Sequence, residues 1–516
     1  MCRCTHVNIL ESIASNVEAY PERTAYVLNA PDRTESITWS ELGAHSDRMG
    51  SYIVQSIPGQ KPVVIYGHKD PLMIASFVAC SKSGRAYCPV DVSVPEGRLQ
   101  DIVGEVEPDL VIAFDELPRI DCGNALVLTA DDVARIATGG DTIDLRPHWI
   151  GADDVYYIIF TSGSTGKPKG VQITRDCLDN FIAWGKTMCT NANDGYVFVN
   201  QAPYSFDLSV MDLYLSLSLG GTEYALSKSL LESMSTLFER LRTSEATVWV
   251  STPSFVEMCL ADPSFNEALL PRMRTFLFCG ETLTNRTAER LIEAFPKAEV
   301  YNTYGPTEST VAVTGILVTP DVSATHSPLP VGRPKPGTII RIVDEQGNDV
   351  PQGNKGEIVI VGDSVSVGYF HDEERTRKAF STYDVDGTIM RAYRTGDEGY
   401  LDDDLLFYSG RIDLQIKMHG YRIEIEDIEA NIAKLPGVVR VAVLPVRKPD
   451  GTVRSLSAYL VMDAPAETFT SKDARELRKQ LASSLPTYMI PKRIRIVDDL
   501  PVTNNGKIDR KKLATL

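Results

Sequence analysis

The stretch from Phe160 to Gly170 gathers four hydroxyls (Thr161, Ser162, Ser164, Thr165), three glycines (Gly163, Gly166, Gly170) and two lysines (Lys167, Lys169). It follows the apolar run Val155–Phe160. A strand emptying into such a loop supplies donors and positive charge, the chemistry that grips a polyphosphate. Glycines let backbone N–H groups approach an anion with no Cβ in the way, and successive N–H groups form an anion nest. The spacing is not that of a Walker A loop, which needs four residues between its glycines and a hydroxyl residue after the lysine. Here only Ser164 and Thr165 separate Gly163 from Gly166, and Pro168 follows Lys167. Alone, the segment also reads as a polar surface loop.

Further reactive groups are spread along the chain. Tyr301–Glu308 ends an apolar strand with Asn302, Thr303, Tyr304, Thr307 and Glu308. An aromatic face can stack on a purine, an amide can meet an exocyclic amine, and a carboxylate can hold Mg²⁺. Asp397 follows the tight turn Thr395-Gly396 and suits a ribose diol; Arg411 and Asp413 sit in Gly410-Arg411-Ile412-Asp413, and Lys507 lies on the turn Asn504-Asn505-Gly506. Each of these is ambiguous by itself: a capped turn, a generic turn, a solvated lysine. In Pro203–Ser209, Asp207 sits among apolar neighbours. A carboxylate facing an apolar pocket argues for a cationic partner. An N-cap role for a helix from Leu208 onward competes with that reading.

Elements able to position these groups are legible in the patterning. At 516 residues the chain exceeds one hydrophobic core, and 43% apolar with 23% charged residues fits a soluble globular protein. A net charge of −17 argues against nucleic acid or anionic membrane as the main partner. No apolar run reaches the ~18 residues of a membrane span, and Met1–Leu10 lacks the apolar core of a signal peptide, so a cytoplasmic location without membrane insertion is expected. Nine cysteines at irregular spacing suit reduced thiols. Cys2, Cys4 and His6 have no second ligand set at zinc spacing, so a frayed terminus is expected there.

Thr38-Trp39-Ser40-Glu41 has capping-box spacing and predicts a helix start. Strands are predicted at Pro62–Tyr66, Tyr196–Asn200, Thr247–Ser251, Thr275–Cys279 and Glu299–Asn302, with helices between, a layered α/β pattern with largely parallel sheets. After about residue 328, Ile339–Val343, Gly356–Val361 and Leu406–Tyr408 predict a β-rich unit. Past Gly410 a helix at Ile425–Leu435, strands at Val438–Val446, Leu456–Val461 and Arg493–Val497, and a helix at Ser471–Ser484 predict a small α+β lobe.

In this order and spacing the motifs resemble the adenylate-forming superfamily of acyl-CoA synthetases, luciferases and nonribosomal-peptide adenylation domains, over nearly the whole chain. The resemblance implies an N-terminal region, residues 1–410, of two α/β sheets (about 1–150 and 151–328) and a small β-barrel (about 329–410), then a mobile lobe, 411–516. It implies ATP and Mg²⁺. Thr161, Ser162, Gly163, Ser164, Thr165, Gly166, Lys167 and Lys169 would hold the outer phosphates, and Asn302, Thr303, Tyr304, Thr307, Asp397 and Arg411 the nucleoside. Glu308 would hold Mg²⁺, Lys507 would bridge carboxylate and α-phosphate, and Asp413 would be the hinge. Lys507, Arg411 and Glu308 would be the catalytic groups.

A finer resemblance, on Ser205–Tyr214, Ser251–Phe255, Phe278–Glu281 and Tyr304–Val313, is to the family of D-alanine:D-alanyl carrier protein ligases. It implies D-alanine as substrate in lipoteichoic acid D-alanylation. Asp207 would hold its ammonium, Cys279 would lie beside its Cα, and Val311, Ala312 and Lys507 would complete the site. No Gly-Gly-x-Ser attachment motif follows Lys507, so the acceptor would be a separate phosphopantetheinylated carrier protein. Another small amino acid, or an acyl-CoA synthetase, is the alternative.

Overall fold

The computed structural model describes residues 7–163, 166–189, 195–418, 420–448, 451–463, 469–501 and 508–515. Ser164, Thr165 and Lys507, like Cys2, Cys4 and His6, lie outside the described residues.

The apolar runs become strands because both their faces are covered. A six-stranded sheet runs in the order Leu126–Thr129, Leu110–Ala113, Val63–Tyr66, Tyr87–Val90, Val155–Thr161, Lys169–Thr174. Its first five strands pair in parallel and its last pair is antiparallel. A nine-stranded sheet runs Arg333–Pro334, Thr314–Leu317, Glu299–Tyr304, Thr275–Phe278, Val248–Ser251, Val197–Asn200, Thr222–Leu226, Thr24–Asn29, Thr34–Thr38. Its six central strands are parallel.

The sheets do not follow the expected division at residue 150. Thr24–Asn29 pairs with Thr222–Leu226, and Val155–Thr161 pairs with Tyr87–Val90. Each sheet thus takes strands from both halves of the first 328 residues, a long-range exchange that local periodicity does not encode.

Helices Pro71–Lys82 and Leu208–Leu219 are apolar on nearly every side because one core joins both sheets around them. Helix Trp39–Ser56 begins where the capping box predicts: Thr38 Oγ1 accepts from the Glu41 amide, and Glu41 Oε2 accepts from the Thr38 amide.

The β-rich unit is an antiparallel sheet of Thr338–Val343, Gly356–Gly362, Thr388–Asp402 and Phe380–Val385, with Leu405–Arg411 also pairing on Thr388–Asp402. Its pairings do not close, so the expected barrel is an open sheet among the described residues. The long strand Thr388–Asp402 pairs with three partners, Gly356–Gly362, Phe380–Val385 and Leu405–Arg411. Beyond it come the hairpin Gln415–Met418/Tyr421–Glu424 and a three-stranded sheet of Val438–Arg447, Val453–Met462 and Arg493–Ile496. Helices Ile425–Ile432 and Ser471–Leu481 complete this unit, with a core of its own.

The two large sheets meet at a buried lysine. Lys69, 2% exposed, follows strand Val63–Tyr66 and donates to the carbonyls of Asn200, Gln201 and Leu226 at 3.0, 3.0 and 2.9 Å. Burial lowers its pKa to about 8, while Asp212, Glu223 and Asp91 pull the other way. Tyr204 Oη donates to Glu223 at 2.8 Å, so the same network anchors the loop that carries Asp207. Lys69→Met should therefore lose about 3–5 kcal/mol in urea unfolding, because carbonyls and carboxylates lose a buried cation. A loss below about 1 kcal/mol would mean that these groups have other partners.

Candidate active site

The strand ends of the nine-stranded sheet and the Gln415–Glu424 hairpin line an open cleft with about 450 Å³ of empty space. Its walls include Asp207, Cys279, Thr307 and Val311 on one side and Lys417 and Gly420 on the other. A second cavity, about 760 Å³, runs from Asp207 and Thr307 past Val90, Val94, Tyr421 and Tyr488. Tyr421 and Tyr488 stack there with ring centroids 3.6 Å apart.

Asp207 is 8% exposed and precedes helix Leu208–Leu219, yet its side chain makes no capping bond. The competing N-cap role is thus absent. Burial raises its pKa to about 6, against the Thr307 hydroxyl and the charge of Lys417. An ionised Asp207 therefore gains most from a cation within the cavity.

Cys279 follows strand Thr275–Phe278 and is buried, its Sγ 3.5 Å from the Val311 carbonyl oxygen. Burial pushes this thiol up, which keeps it neutral and makes it a wall rather than a nucleophile. Thr310 and Val311 both have left-handed backbones, φ 62° and 66°, a conformation that β-branched residues avoid. Thr310 Oγ1 donating to the Ser364 carbonyl and the Val313 amide donating to the Tyr304 carbonyl, both 2.8 Å, hold them so. Strain of this kind persists only where its surroundings over-determine it. Here it turns Val311 onto the cavity wall. Ala312, expected at the substrate, is completely buried and does not line this cavity.

The nucleoside candidates divide in two. Tyr304 Oη donates to Asp397 Oδ2 at 2.5 Å, and Arg411 Nη1 donates to Asp397 Oδ1 at 2.8 Å. Arg411 also holds Asp413 through Nε and Nη2, at 2.9 and 2.5 Å. The structure thus joins Tyr304, Asp397, Arg411 and Asp413 in one hydrogen-bonded chain, with Asp397 and Arg411 on the cavity wall. Asn302 and Thr303 do not face it. Their side chains donate to the carbonyls of Pro330 and Phe278, at 2.8 Å each. Strand Glu299–Tyr304 is flanked by partners on both sides, so its polar side chains must find acceptors in adjoining segments.

The glycine-rich segment lies between the antiparallel strands Val155–Thr161 and Lys169–Thr174. Gly166 has φ 78°. A Cβ on Gly163 would lie 2.2 Å from the Lys167 carbonyl oxygen, so glycine is required there. Lys167 is exposed. Thr161 Oγ1 is buried and has no partner among the described residues. Ser162 Oγ donates to the Arg422 carbonyl at 2.9 Å and accepts from the Glu424 amide at 3.1 Å.

Glu308 is completely buried. Lys169 Nζ lies 3.3 Å from Oε1, Tyr369 Oη donates to Oε1 at 2.8 Å, and Arg422 Nη1 donates to Oε2 at 2.5 Å. Burial pushes this carboxyl up, and Arg422 and Lys169 outweigh that push and hold it well below the usual range. Among the described residues no three His, Cys, Asp or Glu side chains gather as a metal cage. A lone ionised carboxylate matches Mg²⁺ held partly by phosphate oxygens rather than by a dedicated cage. While Arg422 is on Glu308, that seat is taken.

The family resemblance implies that the Gly420-Tyr421 turn comes to the site in the second step; it gives no role to Lys417, Arg422 or Tyr369, nor to Glu281 at the end of the Phe278–Glu281 motif. An arginine at this distance in sequence from Glu308 gives no local signal; the i,i+2 alternation of a hairpin around Gly420 is the one that could have been used.

Family models match two spans: AMP-binding enzyme over residues 13–370 and AMP-binding enzyme C-terminal domain over 427–507. The chain is 43% identical over 515 residues to D-alanine--D-alanyl carrier protein ligase of Bacillus licheniformis, covering 98% of this chain and 99% of that protein. It is 44% identical over 513 residues to the protein of that name in Bacillus cereus, with the same coverage. Among solved structures, PA1221, a protein with adenylation and carrier domains, superposes with TM-score 0.82 at 25% identity, over 99% of this chain and 84% of that one. The o-succinylbenzoate CoA synthetase of Bacillus subtilis shares the fold, with TM-score 0.83 at 21% identity over 98% of each chain. No helix among the described residues is long and apolar enough to cross a membrane. The chain is an adenylate-forming ligase of the AMP-binding enzyme family, grouped by sequence with the D-alanine--D-alanyl carrier protein ligases.

Proposed function

We propose that the protein activates D-alanine with ATP and Mg²⁺ to D-alanyl-AMP, then passes the acyl group to the phosphopantetheine thiol of a separate carrier protein in the cytoplasm. The observation that carries this reading is Asp207: a buried, uncapped carboxylate in a small cavity walled by Cys279 and Val311. The names of the relatives support it independently. An α-ammonium would neutralise Asp207, and Cys279 and Val311 on the same cavity wall would face a small side chain.

In the first step the amino acid carboxylate attacks the α-phosphorus and pyrophosphate departs, so positioning and charge neutralisation dominate. The segment Thr161–Lys169 would cradle the outer phosphates, and Asp397 and Arg411 would orient the ribose. Lys507, outside the described residues, would bridge the two anions. Glu308 would hold Mg²⁺, which when bound draws charge from the departing phosphates. Withdrawal of Arg422 would strip the buried Glu308 of one cation, and that vacancy favours another.

In the second step the carrier thiolate attacks the acyl carbon, the new C–S bond forms, and the C–O bond to AMP breaks. We take residues 411–516 as the lobe that swings about Asp413 between the steps. The orientation described, with Gly420 and Arg422 at the cavity, is assigned to the second. The cavity past Val94, Tyr421 and Tyr488 is the matching approach for a long, weakly polar arm.

ATP–pyrophosphate exchange over both alanine enantiomers, other amino acids and fatty acids tests the reading directly. D-Alanine should dominate; exchange driven by fatty acids, or by no amino acid, would overturn it. Because Asp207 titrates at about 6, its carboxylate is ionised above that pH and neutral below it. The kcat/KM for D-alanine should fall about tenfold per pH unit below the titration point, and Asp207→Asn should raise KM and abolish that limb. An unchanged profile in the variant would place the ammonium elsewhere. Cys279→Ala should raise L-alanine turnover relative to D-alanine by an amount worth about 1–3 kcal/mol, and an unaltered ratio would remove Cys279 from selectivity.

A further inference from the structure

The hairpin touches the N-terminal region at several points, and most of them are groups already assigned to phosphate or metal. Glu281 is different. It lies one residue beyond Gly280, which lines the cavity, and its carboxylate accepts two backbone N–H groups from opposite sides. Oε2 takes the amide of Ser254 at 3.2 Å, in the first turn of helix Pro253–Leu260. Oε1 takes the amide of Gly420 at 2.7 Å, at the hairpin's turn.

The fit around Gly420 is close. Its φ is 83°, and a Cβ there would come within 2.6 Å of Thr252 Cγ2 and 3.5 Å of Phe206. Phe206 in turn lies with its ring centroid 5.9 Å from that of Tyr421. A glycine turn is thus pressed against the residues beside Asp207, and one charged hydrogen bond fixes its register. Glu281 carries no expected contact with phosphate, ribose or the α-ammonium.

We propose that Glu281 is a positioning residue for the transfer step alone: it captures the Gly420 amide and seats the hairpin turn on the acyl pocket. The proposal rests on the two-step reading above. In the first step the hairpin would be withdrawn and the Glu281–Gly420 bond absent, so its loss would leave adenylate formation intact. The Ser254 amide keeps the carboxylate oriented meanwhile. A charge-assisted bond to a backbone amide is stronger than a neutral one.

The test separates the half-reactions in the full-length protein. Glu281→Ala and Glu281→Gln are assayed for ATP–pyrophosphate exchange and, in single turnover, for transfer from preformed D-alanyl-AMP to the carrier thiol. Glu281→Ala should slow transfer by about tenfold to a hundredfold, the span of one charged hydrogen bond, with exchange within about twofold of the parent. Glu281→Gln keeps an oxygen acceptor and should recover most of the transfer rate. Unchanged transfer in Glu281→Ala, or equal loss of both steps, overturns the positioning role. A parent protein that exchanges but never transfers, or transfers but never exchanges, overturns the two-step reading itself.

Discussion

A carboxylate that stays ionised with no exposure to water must have cations around it, and Glu308 shows how far that requirement reaches. Its partners come from three separate parts of the chain: Lys169 from the strand after the glycine-rich turn, Tyr369 from the β-rich region, and Arg422 from the hairpin. Removing one partner from such a group leaves an uncompensated buried charge, commonly at about 3–5 kcal/mol. Glu308 therefore acts as a fastening point between segments over 250 residues apart. On the proposed reading, the same requirement couples lobe position to ligand: whenever Arg422 is away, another cation must be present.

The amino acid pocket follows a related logic. Asp207 lies just before a helix but does not cap it, and burial raises its affinity for a proton until a cation takes the proton's place. Around it, Cys279 and the strained Thr310–Val311 backbone limit the space. Beneath it, Lys69 and Glu223 tie the Asn200–Tyr204 segment to both sheets. The pocket is precise because its loop is anchored at a buried polar network rather than by apolar packing alone.

Much of this was legible in the residues. The apolar runs gave strands such as Val63–Tyr66 and Thr275–Phe278 to within a residue, and Thr38–Glu41 marked a helix start correctly, because those signals are local. The exchange of strands between the sheets was not legible, since parallel pairing over nearly 200 residues leaves no periodicity to read. The open sheet in place of a barrel, and the 15-residue strand Thr388–Asp402, were hidden for the same reason. In the site, Asp207, Cys279, Asp397 and Arg411 could be picked out by type and motif. Lys417 and Arg422 could not, and Glu281 stood in the Phe278–Glu281 motif without a role, because their contacts join distant segments. Asn302 and Thr303 were over-read: their polar side chains serve neighbouring carbonyls.

On the proposed two-step reading, this arrangement of the hairpin serves transfer and excludes adenylation. Arg98 Nη1 and Asp427 Oδ2, 2.9 Å apart and buried, mark a contact between the two regions that borders the second cavity but not the amino acid pocket. Cysteines introduced as Arg98→Cys and Asp427→Cys and bridged by a short bifunctional maleimide would hold the two regions in this arrangement. The bridged protein should lose ATP–pyrophosphate exchange while still passing the acyl group from supplied D-alanyl-AMP to the carrier thiol, with the unbridged double variant exchanging normally. Exchange that survives bridging would contradict the account.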